Sequence, residues 1–383
     1  MAYMSETDFS DKILTLFFTG GVSLKTWAEV GNLDRELEIY KRLSKKLKNI
    51  NMVTYGGKGD RVYEKNLGEI NLLSTNWYNN PKLTILHLLL KYLPQIYKSD
   101  VLKTNQITGS EIPIWIKKHF NKKLIVRCGY LHSYVIKNQL KDQKAINKAI
   151  QLEKEAFSYA DIGVVTSSWQ RDIIIKEYNI KPEKIRVIPN YVITDIFKPH
   201  PEIEKKYDLI FVGRSGGEKN LSNLLKAIQY LKTKDRDISL LMVGGCSCDN
   251  KIKEIISQYN LDVTFKDNMP NFDLPYILNQ SRVFILPSYY ECHPKVLLEA
   301  MSCGLPCIGS DVVGIKEDIE HMETGYLCKT SFESISNAIE IILSDDSLQK
   351  KIGNNAREHI LKNYSIDKIF KMELEVIQEV IAK

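Results

Sequence analysis

The feature that most constrains the fold of this chain is a regular alternation of short apolar segments with longer segments at helical spacing. The short segments are rich in valine, isoleucine and phenylalanine and occur in two groups. The first group predicts strands at 13–18, 51–56, 123–128, 162–167 and 185–190. The second group predicts strands at 208–213, 239–245, 263–266, 282–288 and 306–311. Because such alternation is typical of parallel sheets covered by helices on both faces, the chain is predicted to hold two α/β domains.

The domain boundary is predicted within 197–208, which has two prolines, mixed charge and no hydrophobic periodicity. We therefore expect domains at 1–198 and 199–364, because 383 residues are many for one core. The remaining segment, 365–383, has an apolar stripe at helical spacing. An amphipathic helix must bury such a stripe, and we predict that it packs back on the first domain, although the pattern does not name the domain.

The charge of the chain is unevenly distributed. The chain has 53 Lys and Arg and 47 Asp and Glu residues. Residues 1–198 hold 31 of the basic and 20 of the acidic residues, a net charge of +11. Residues 199–383 hold 22 basic and 27 acidic residues, a net charge of −5. The asymmetry suggests that the first domain meets an anionic partner such as a phospholipid surface, the alternative being solvated helix faces. The apolar run at 83–93 is interpreted as a core helix, with membrane contact as the alternative. No aromatic-basic module indicates nucleic-acid binding.

Cysteine usage and hydropathy bear on the compartment and on metal binding. Seven cysteines without even spacing favour reduced thiols in the cytosol. Cys246 and Cys248 lack a second pair at metal-ligand spacing, so we expect neither a bound metal nor a cofactor. No apolar run approaches the roughly 20 residues that a membrane span needs, and the run at 13–18 is too short for a secretory signal.

Two cations follow the first predicted strand of the second domain. Arg214 and Lys219 flank a Gly-Gly turn that leads into a helical segment. A turn with little side-chain bulk and two cations suits a diphosphate, since arginine binds oxygens through its fork and lysine adds a compact charge. The alternative is a glycine turn with two solvated cations. The dinucleotide-binding and P-loop glycine patterns are both absent.

A second candidate site lies in SYYECHPKVLLEAMSCGLPCIGSD, residues 288–311. Pro294 is predicted at the first helical position, and the first-turn N–H groups of a helix lack partners within it. With the positive end of the helix dipole they form an anion site. The N–H groups concerned belong to Lys295, Val296 and Leu297.

Two carboxylates flank this predicted anion site. Glu291 lies just outside the helix and Glu299 in its second turn. A nucleoside-diphosphate sugar would match this order, with Glu299 on the ribose hydroxyls and Glu291 on the sugar. The alternative is that Glu299 is a surface helix residue and Glu291 a cap.

These motifs together resemble the family-four retaining glycosyltransferases of GT-B fold. That family is recognised by two glutamates separated by seven residues and by an upstream Gly-Arg and Lys. The likeness extends to VIPNYVITDIFKP at 187–199 and to ADIGVVTSSWQRD at 160–172. The resemblance implies two Rossmann-like domains facing across a cleft. It also implies sugar transfer from a nucleotide donor to a glycan or lipid-linked acceptor in cell-surface polysaccharide or glycoconjugate synthesis, without a metal, in the cytoplasm or at the inner membrane face.

The resemblance assigns roles to individual residues. Glu291, Arg214 and Lys219 would be catalytic. Donor binding would fall to Glu299, to the helix start at 294–297 and to Gly21, which matches the family's N-terminal glycine loop. The family's usual histidine of the acceptor side has no clean match, and His132 and Arg127 are the candidates.

The loop after Glu291 departs from the family pattern, and three alternative functions remain open. Cys292-His293-Pro294 replaces the family's usual Gly-Phe-Gly, so the sugar preference does not carry over. A GT-B sugar-nucleotide epimerase would share the fold. A non-catalytic nucleotide-sugar-binding module would keep Glu299, whereas a nicotinamide oxidoreductase would need the missing glycine fingerprint.

Overall fold

A computed structural model describes residues 9–139 and 142–382. The described residues form two compact units. The first runs to Pro189 and includes the chain from Ile369 onward, and the second is Asn190–Lys368. The division therefore comes nine residues before the predicted boundary at 198/199, because Val192 and Phe197 are buried in the core of the second unit.

The first unit alternates strands with helices as the sequence predicts. Its strands are β1 Ile13–Phe17, β2 Asn49–Thr54, β3 Asn71–Ser74, β4 Val101–Thr104, β5 Lys123–Cys128, β6 Ile162–Val165 and β7 Ile185–Val187. Its helices are α1 Leu24–Glu29, α2 Leu33–Ser44, α3 Pro81–Lys98, α4 Glu111–Phe120, α5 His132–Gln139, α6 Gln143–Tyr159 and α7 Ser168–Tyr178. Segments of 3₁₀ helix lie at Gly57–Asn66 and Pro182–Lys184.

The second unit repeats the scheme. Its strands are β8 Tyr207–Val212, β9 Leu240–Val243, β10 Val263–Lys266, β11 Ser281–Leu286, β12 Cys307–Ser310 and β13 Tyr326–Cys328. Its helices are α8 Leu221–Lys232, α9 Asn250–Tyr259, α10 Leu274–Asn279, α11 Lys295–Ser302, α12 Val313–Lys316, α13 Phe332–Ser344 and α14 Asp346–Asn363, and α15 Ile366–Ala382 continues into the first unit. Segments of 3₁₀ helix lie at Gly217–Lys219, Cys246–Cys248 and Asn271–Asp273.

Both sheets are parallel throughout, and six strands of each follow one order, to which the first sheet adds a seventh strand at its edge. The first is β3-β2-β1-β4-β5-β6-β7 and the second β10-β9-β8-β11-β12-β13. In each, the order reverses beside the first strand of the unit, between β1 and β4 and between β8 and β11. This is the doubly wound Rossmann order, in which ligands bind beyond the carboxyl ends of the strands at the point of reversal. The register pairs Val283 with Leu209 and Phe284 with Ile210, so β8 and β11 end side by side.

Gly31, with a φ of +74°, turns the chain between α1 and α2. One helix prediction needs correction. The run at 83–93, interpreted as a core helix, lies in α3 and turns only one face inward. Thr84, Ile85 and Leu88 are buried, whereas Leu86 and Leu90 are 55% and 80% exposed. No described helix is both long enough and apolar enough to span a bilayer.

The terminal helix α15 is tied to the first sheet by a buried ion pair. Lys103 of β4 donates to the carboxylate of Glu373, and the side chains are 1% and 6% exposed. Burial lowers the pKa of Lys103 below its ordinary value, and the Glu373 carboxylate opposes that shift. The two residues lie 270 positions apart in sequence. Because a buried charge without its partner is costly, their contact stabilises the position of α15 on the first sheet.

We expect Glu373→Gln to destabilise the first unit by about 1.5–3 kcal/mol, since an amide replaces the charged partner of a buried ammonium. Glu379→Gln is the matched control on the same helix. Its carboxylate accepts two hydrogen bonds from Arg186, at 2.6 and 3.1 Å, but the two side chains are 30% and 35% exposed. Because water screens a pair at this exposure, we expect Glu379→Gln to cost about 1 kcal/mol. Urea unfolding measures both variants, and equal losses would show that the burial of Lys103 and Glu373 is energetically unimportant.

Candidate active site

The candidate site of the second unit is built where β8 and β11 end. After β8 the chain passes through Gly213 and Arg214 into the 3₁₀ turn Gly217–Lys219, and Asn220 then precedes α8 with a φ of +57°. The two turns that leave β8 and β11 are joined directly, because the Tyr289 N–H donates to the Glu218 carbonyl at 2.8 Å. The Asn220 amide adds a hydrogen bond to the Pro287 carbonyl at 3.0 Å. The strand ends therefore present one connected surface.

Lys219 and Glu291 meet on this surface. The Lys219 ammonium lies 2.6 Å from Oε1 of Glu291, and the Ser288 hydroxyl donates to the same oxygen at 2.8 Å. The lysine side chain is 18% exposed and the glutamate 12%, so the pair is mostly withdrawn from water. At this burial a hydrogen-bonded ion pair holds both side chains in place. The structure thus brings together two of the three residues predicted to be catalytic.

Arg214, the third of these residues, lies at the same strand end with an exposed side chain. Its guanidinium makes no hydrogen bond or ion pair with the described residues. An arginine in this position keeps its donors available to an anion arriving at the mouth of the sheet.

The start of α11 differs in detail from the prediction. Pro294 is the residue before the helix, with φ −75° and ψ 109°, and Lys295 is the first helical residue. The Leu297 N–H donates to the Pro294 carbonyl at 3.1 Å, so its predicted availability to an anion is wrong. Because Pro294 is extended, its carbonyl turns towards the first helical turn and accepts this bond. Lys295 and Val296 are partly exposed at the helix start.

Glu299 lies one turn further along α11 and is 1% exposed. Its Oε1 accepts a hydrogen bond from the Asn271 amide at 3.0 Å, and Asn271 itself opens the 3₁₀ turn before α10. Glu299 is therefore held on the inner side of the helix, contrary to the alternative that made it a surface residue. A buried carboxylate needs polar partners, and Asn271 supplies one.

In the loop where Cys292-His293-Pro294 replaces Gly-Phe-Gly, the His293 side chain is buried and hydrogen-bonded. Its Nδ1 accepts a hydrogen bond from the Asn190 N–H at 3.3 Å, and its carbonyl accepts one from the Asn190 amide at 2.8 Å. Since Nδ1 is an acceptor, the proton is on Nε2, which lies 3.2 Å from Oδ1 of Asp318. His293 is 7% exposed, so it fixes the loop after Glu291 from within.

The remaining predicted residues lie in the first unit. Gly21 follows β1 with a φ of +76°, a conformation that favours glycine. A side chain on its neighbour Gly20 would meet the Trp77 ring at 2.8 Å, so the turn is covered by that indole. The Gly20 N–H donates to the Thr108 carbonyl at 2.8 Å, which places this turn at the reversal between β1 and β4.

The two acceptor-side candidates differ in their surroundings. Arg127 of β5 has Nε 3.9 Å from the Glu373 carboxylate and a 13% exposed side chain, so it belongs to the ion-pair group that anchors α15. His132 is the first residue of α5 and is partly exposed. Of the two, His132 is the one that a substrate of this unit could reach.

Three polar residues of the site were missed in the sequence, namely Ser288, Asn220 and Asn271. Asn220 directly precedes a helix, a position where asparagine is common, and this signal could have indicated it. Ser288 and Asn271 gave no such signal, since their partners Glu291 and Glu299 are reached only in the folded chain.

Similarity to known proteins agrees with this geometry. Residues 192–359 match the family described as glycosyl transferases group 1, which confirms the resemblance to glycosyltransferases. The chain is 29% identical over 229 residues to the Escherichia coli UDP-Gal:alpha-D-GlcNAc-diphosphoundecaprenol alpha-1,3-galactosyltransferase, covering 54% of this chain and 58% of that protein. The first curated relatives are matched over 52% to 66% of their own length.

Solved structures match over nearly the whole chain. Sucrose-phosphate synthase from Thermosynechococcus elongatus has a TM-score of 0.79 at 20% identity, covering 97% of this chain and 99% of its own. Anabaena Alr3699/HepE in complex with UDP has a TM-score of 0.77 at 17% identity, covering 96% and 100%. These likenesses concern the fold, and they confirm the predicted GT-B class with two Rossmann-like domains.

Proposed function

We propose that this chain, whose residues 192–359 match the glycosyl transferases group 1, is a glycosyltransferase that uses a nucleoside-diphosphate sugar. Its acceptor is a glycan or a lipid-linked saccharide, and its product belongs to a cell-surface polysaccharide or glycoconjugate. The observation that carries the proposal is the Lys219–Glu291 pair at the reversal of a Rossmann-like sheet, with buried Glu299 on the adjoining helix. The name of the Escherichia coli relative, which includes UDP-Gal and a diphosphoundecaprenol acceptor, supports the substrate classes.

Donor binding is proposed to exchange one partner of Lys219 for another. In the structure the ammonium is neutralised by Glu291 at 2.6 Å. A diphosphate at this strand end binds the Lys219 ammonium in place of Glu291, and Arg214 is its second cation. The Glu291 carboxylate then accepts hydrogen bonds from the hydroxyls of the sugar. Glu299, held by Asn271, is left for the ribose. Each carboxylate thereby gains a hydroxyl donor, so no charge is buried alone.

The chemical step needs stabilisation of the leaving group, because cleavage of the bond between the anomeric carbon and phosphate leaves the electron pair on the diphosphate. Lys219 and the start of α11 are fixed positive groups where this charge develops, and such preorganised charge usually contributes most to catalysis of this kind. Arg214 adds a guanidinium from the exposed part of the same turn. We assign the chain to family four with retention of anomeric configuration. The acceptor oxygen then forms its bond on the face that the diphosphate leaves, and a phosphate oxygen takes the acceptor proton.

The first unit is proposed to hold the acceptor, with Gly21 at the carboxyl end of β1 and His132 at the start of α5. Free thiols at all seven cysteines agree with a cytoplasmic location, and we place the reaction there or at the inner face of the membrane.

Calorimetric titration with UDP-, GDP- and ADP-sugars, followed by NMR of the product, tests the proposed function. We expect one nucleotide series to bind and its sugar to appear on an added acceptor with the anomeric configuration of the donor. Binding without transfer to any acceptor would support the non-catalytic module instead. Inversion at a ring carbon of the donor sugar without acceptor would support the epimerase.

We expect activity to survive excess EDTA, because Lys219, Arg214 and the helix start supply the positive charge that a metal would otherwise bring to the diphosphate. Initial rates with and without the chelator measure this effect. The outcome that contradicts the mechanism is a complete loss of activity that a divalent ion restores and a monovalent salt at equal ionic strength does not.

A further inference from the structure

The segment α3 carries an apolar surface that the described residues leave uncovered. The backbone of Tyr92 is not helical, with φ −133° and ψ 21°, so α3 consists of two helical pieces that meet at a kink. Spacings of three and four residues place three exposed leucines on one side of the first piece, and two further large side chains are exposed in the second piece. They are Leu83, Leu86, Leu90, Leu93 and Tyr97, with exposures of 50%, 55%, 80%, 43% and 63%. Only one other leucine of the described chain, Leu361, is comparably exposed. A cluster of exposed apolar side chains along one segment marks an interaction surface, whereas single exposed leucines do not.

The opposite face of α3 is firmly attached to the first unit. Thr84, Ile85, Leu88 and Ile96 are buried. The Lys91 ammonium and the Tyr92 hydroxyl both donate to the Ser74 carbonyl at 3.0 Å. The helix is therefore apolar on two sides, and a helix of this kind in a globular fold has a second partner for its outer side.

The stretch of sequence that contains α3 carries charges of one sign. No aspartate or glutamate occurs between Glu69 and Asp100, a stretch that holds Lys82, Lys91 and Lys98. At the end of the helix, Lys122 donates to the Tyr97 carbonyl at 2.5 Å and lies over the Tyr97 ring. Since Lys91 and Lys122 are bound to carbonyl oxygens rather than carboxylates, their charges remain uncompensated. Exposed leucines with an aromatic ring and lysines at the margin are the composition of an interfacial membrane helix.

We propose that the outer face of α3 docks the first unit on an anionic lipid bilayer, with the leucines entering the acyl boundary and the lysines on the headgroups. A lipid surface fits better than a second copy of the chain, because pairing two such faces would bring lysines against lysines without a carboxylate between them. The docking is a binding property of this helix and does not depend on which sugar is transferred. It brings the proposed acceptor-binding unit to a surface where a lipid-linked saccharide would be found.

Co-sedimentation with vesicles tests the proposal. The full chain should bind vesicles that contain phosphatidylglycerol. Its affinity for vesicles of phosphatidylcholine alone should be lower by roughly tenfold or more. Binding to the phosphatidylglycerol vesicles should weaken as the salt concentration is raised. Leu86→Ser combined with Leu90→Ser should weaken binding at least about tenfold. The matched control is Leu361→Ser, which removes an exposed leucine of the second unit and should leave binding unchanged.

The charge is tested separately. Lys82→Glu combined with Lys98→Glu should weaken binding to anionic vesicles and leave the weak binding to neutral ones unaltered. The control is Lys226→Glu, on an exposed position of α8 in the second unit. Thermal unfolding shows that the variants remain folded, and this is expected because all the substituted side chains are exposed.

Two results would overturn the proposal. In the first, the leucine variants bind anionic vesicles as tightly as the parent. In the second, the parent does not bind vesicles and is a dimer by sedimentation equilibrium, and the leucine substitutions make it a monomer. That outcome would assign α3 to an interface between two copies of the chain. Failure of glycosyl transfer with intact vesicle binding would contradict the proposed function alone.

Discussion

Replacing Lys219 by alanine is expected to lower turnover about 10²–10³-fold, the range found when one preorganised donor to developing charge is removed. The lysine is fixed by Glu291 and only 18% exposed, so its charge is already placed at the strand end before the donor arrives. Arg214→Ala is expected to fall in the same range, because its guanidinium leaves the same turn. Steady-state rates at saturating donor measure both variants.

The matched control for Lys219→Ala is Lys226→Ala, which removes an exposed ammonium from the helix that follows. Its turnover should equal that of the parent. A second comparison uses the ion pair itself. If Lys219 acts on the diphosphate and Glu291 on the sugar, the double variant should be slower than either single variant. If the pair serves only to hold the two turns together, the double variant should be no worse than the single ones, and the diphosphate assignment would be wrong.

Much of the fold followed from hydrophobic periodicity, because long apolar segments have few alternatives in an α/β chain. The strands β3, β4 and β13 were missed, and their length does not explain this, because β7 and β12 are as short and were predicted. In β4, Lys103 interrupts the apolar pattern, and what permits its burial is Glu373, 270 residues away. No local signal can show that a lysine will be neutralised by a residue at the other end of the chain.

The candidate site was predictable in its members but not in its contacts. Glycine, proline and the two glutamates mark the strand ends through local chemistry, so Lys219, Glu291 and Glu299 could be named. Their pairing could not be foreseen, because Lys219 and Glu291 lie 72 residues apart and meet only when β8 and β11 are adjacent. Likewise the sequence of α3 is apolar around most of its circumference, and only the fold decides which side is covered.

Substitutions of Glu299 and Glu291 are expected to affect different quantities, nucleotide binding and the catalytic rate. Glu299→Ala removes a charged acceptor that meets the ribose equally in the ground state and the transition state. The loss should be about 1.5–3 kcal/mol in the binding of donor and of free nucleoside diphosphate, with little change in the rate at saturation. Glu299→Gln is the matched variant, since its amide oxygen can still accept from Asn271 and so separates folding from ribose binding.

Glu291→Ala should instead lower the catalytic rate by about 10²–10³-fold, because the Glu291 carboxylate is proposed to bind the sugar as its bond to phosphate breaks. Free nucleoside diphosphate should bind this variant as well as the parent or more tightly, since Lys219 no longer has to leave a carboxylate 2.6 Å away. Nucleotide titrations and turnover kinetics on the same preparations decide between the roles. Loss of nucleotide affinity in Glu291→Ala with retention in Glu299→Ala would reverse the order of the ligand along α11. No change of either quantity in either variant would mean that the two carboxylates stabilise the loop and the helix, and that the fold is shared without the chemistry.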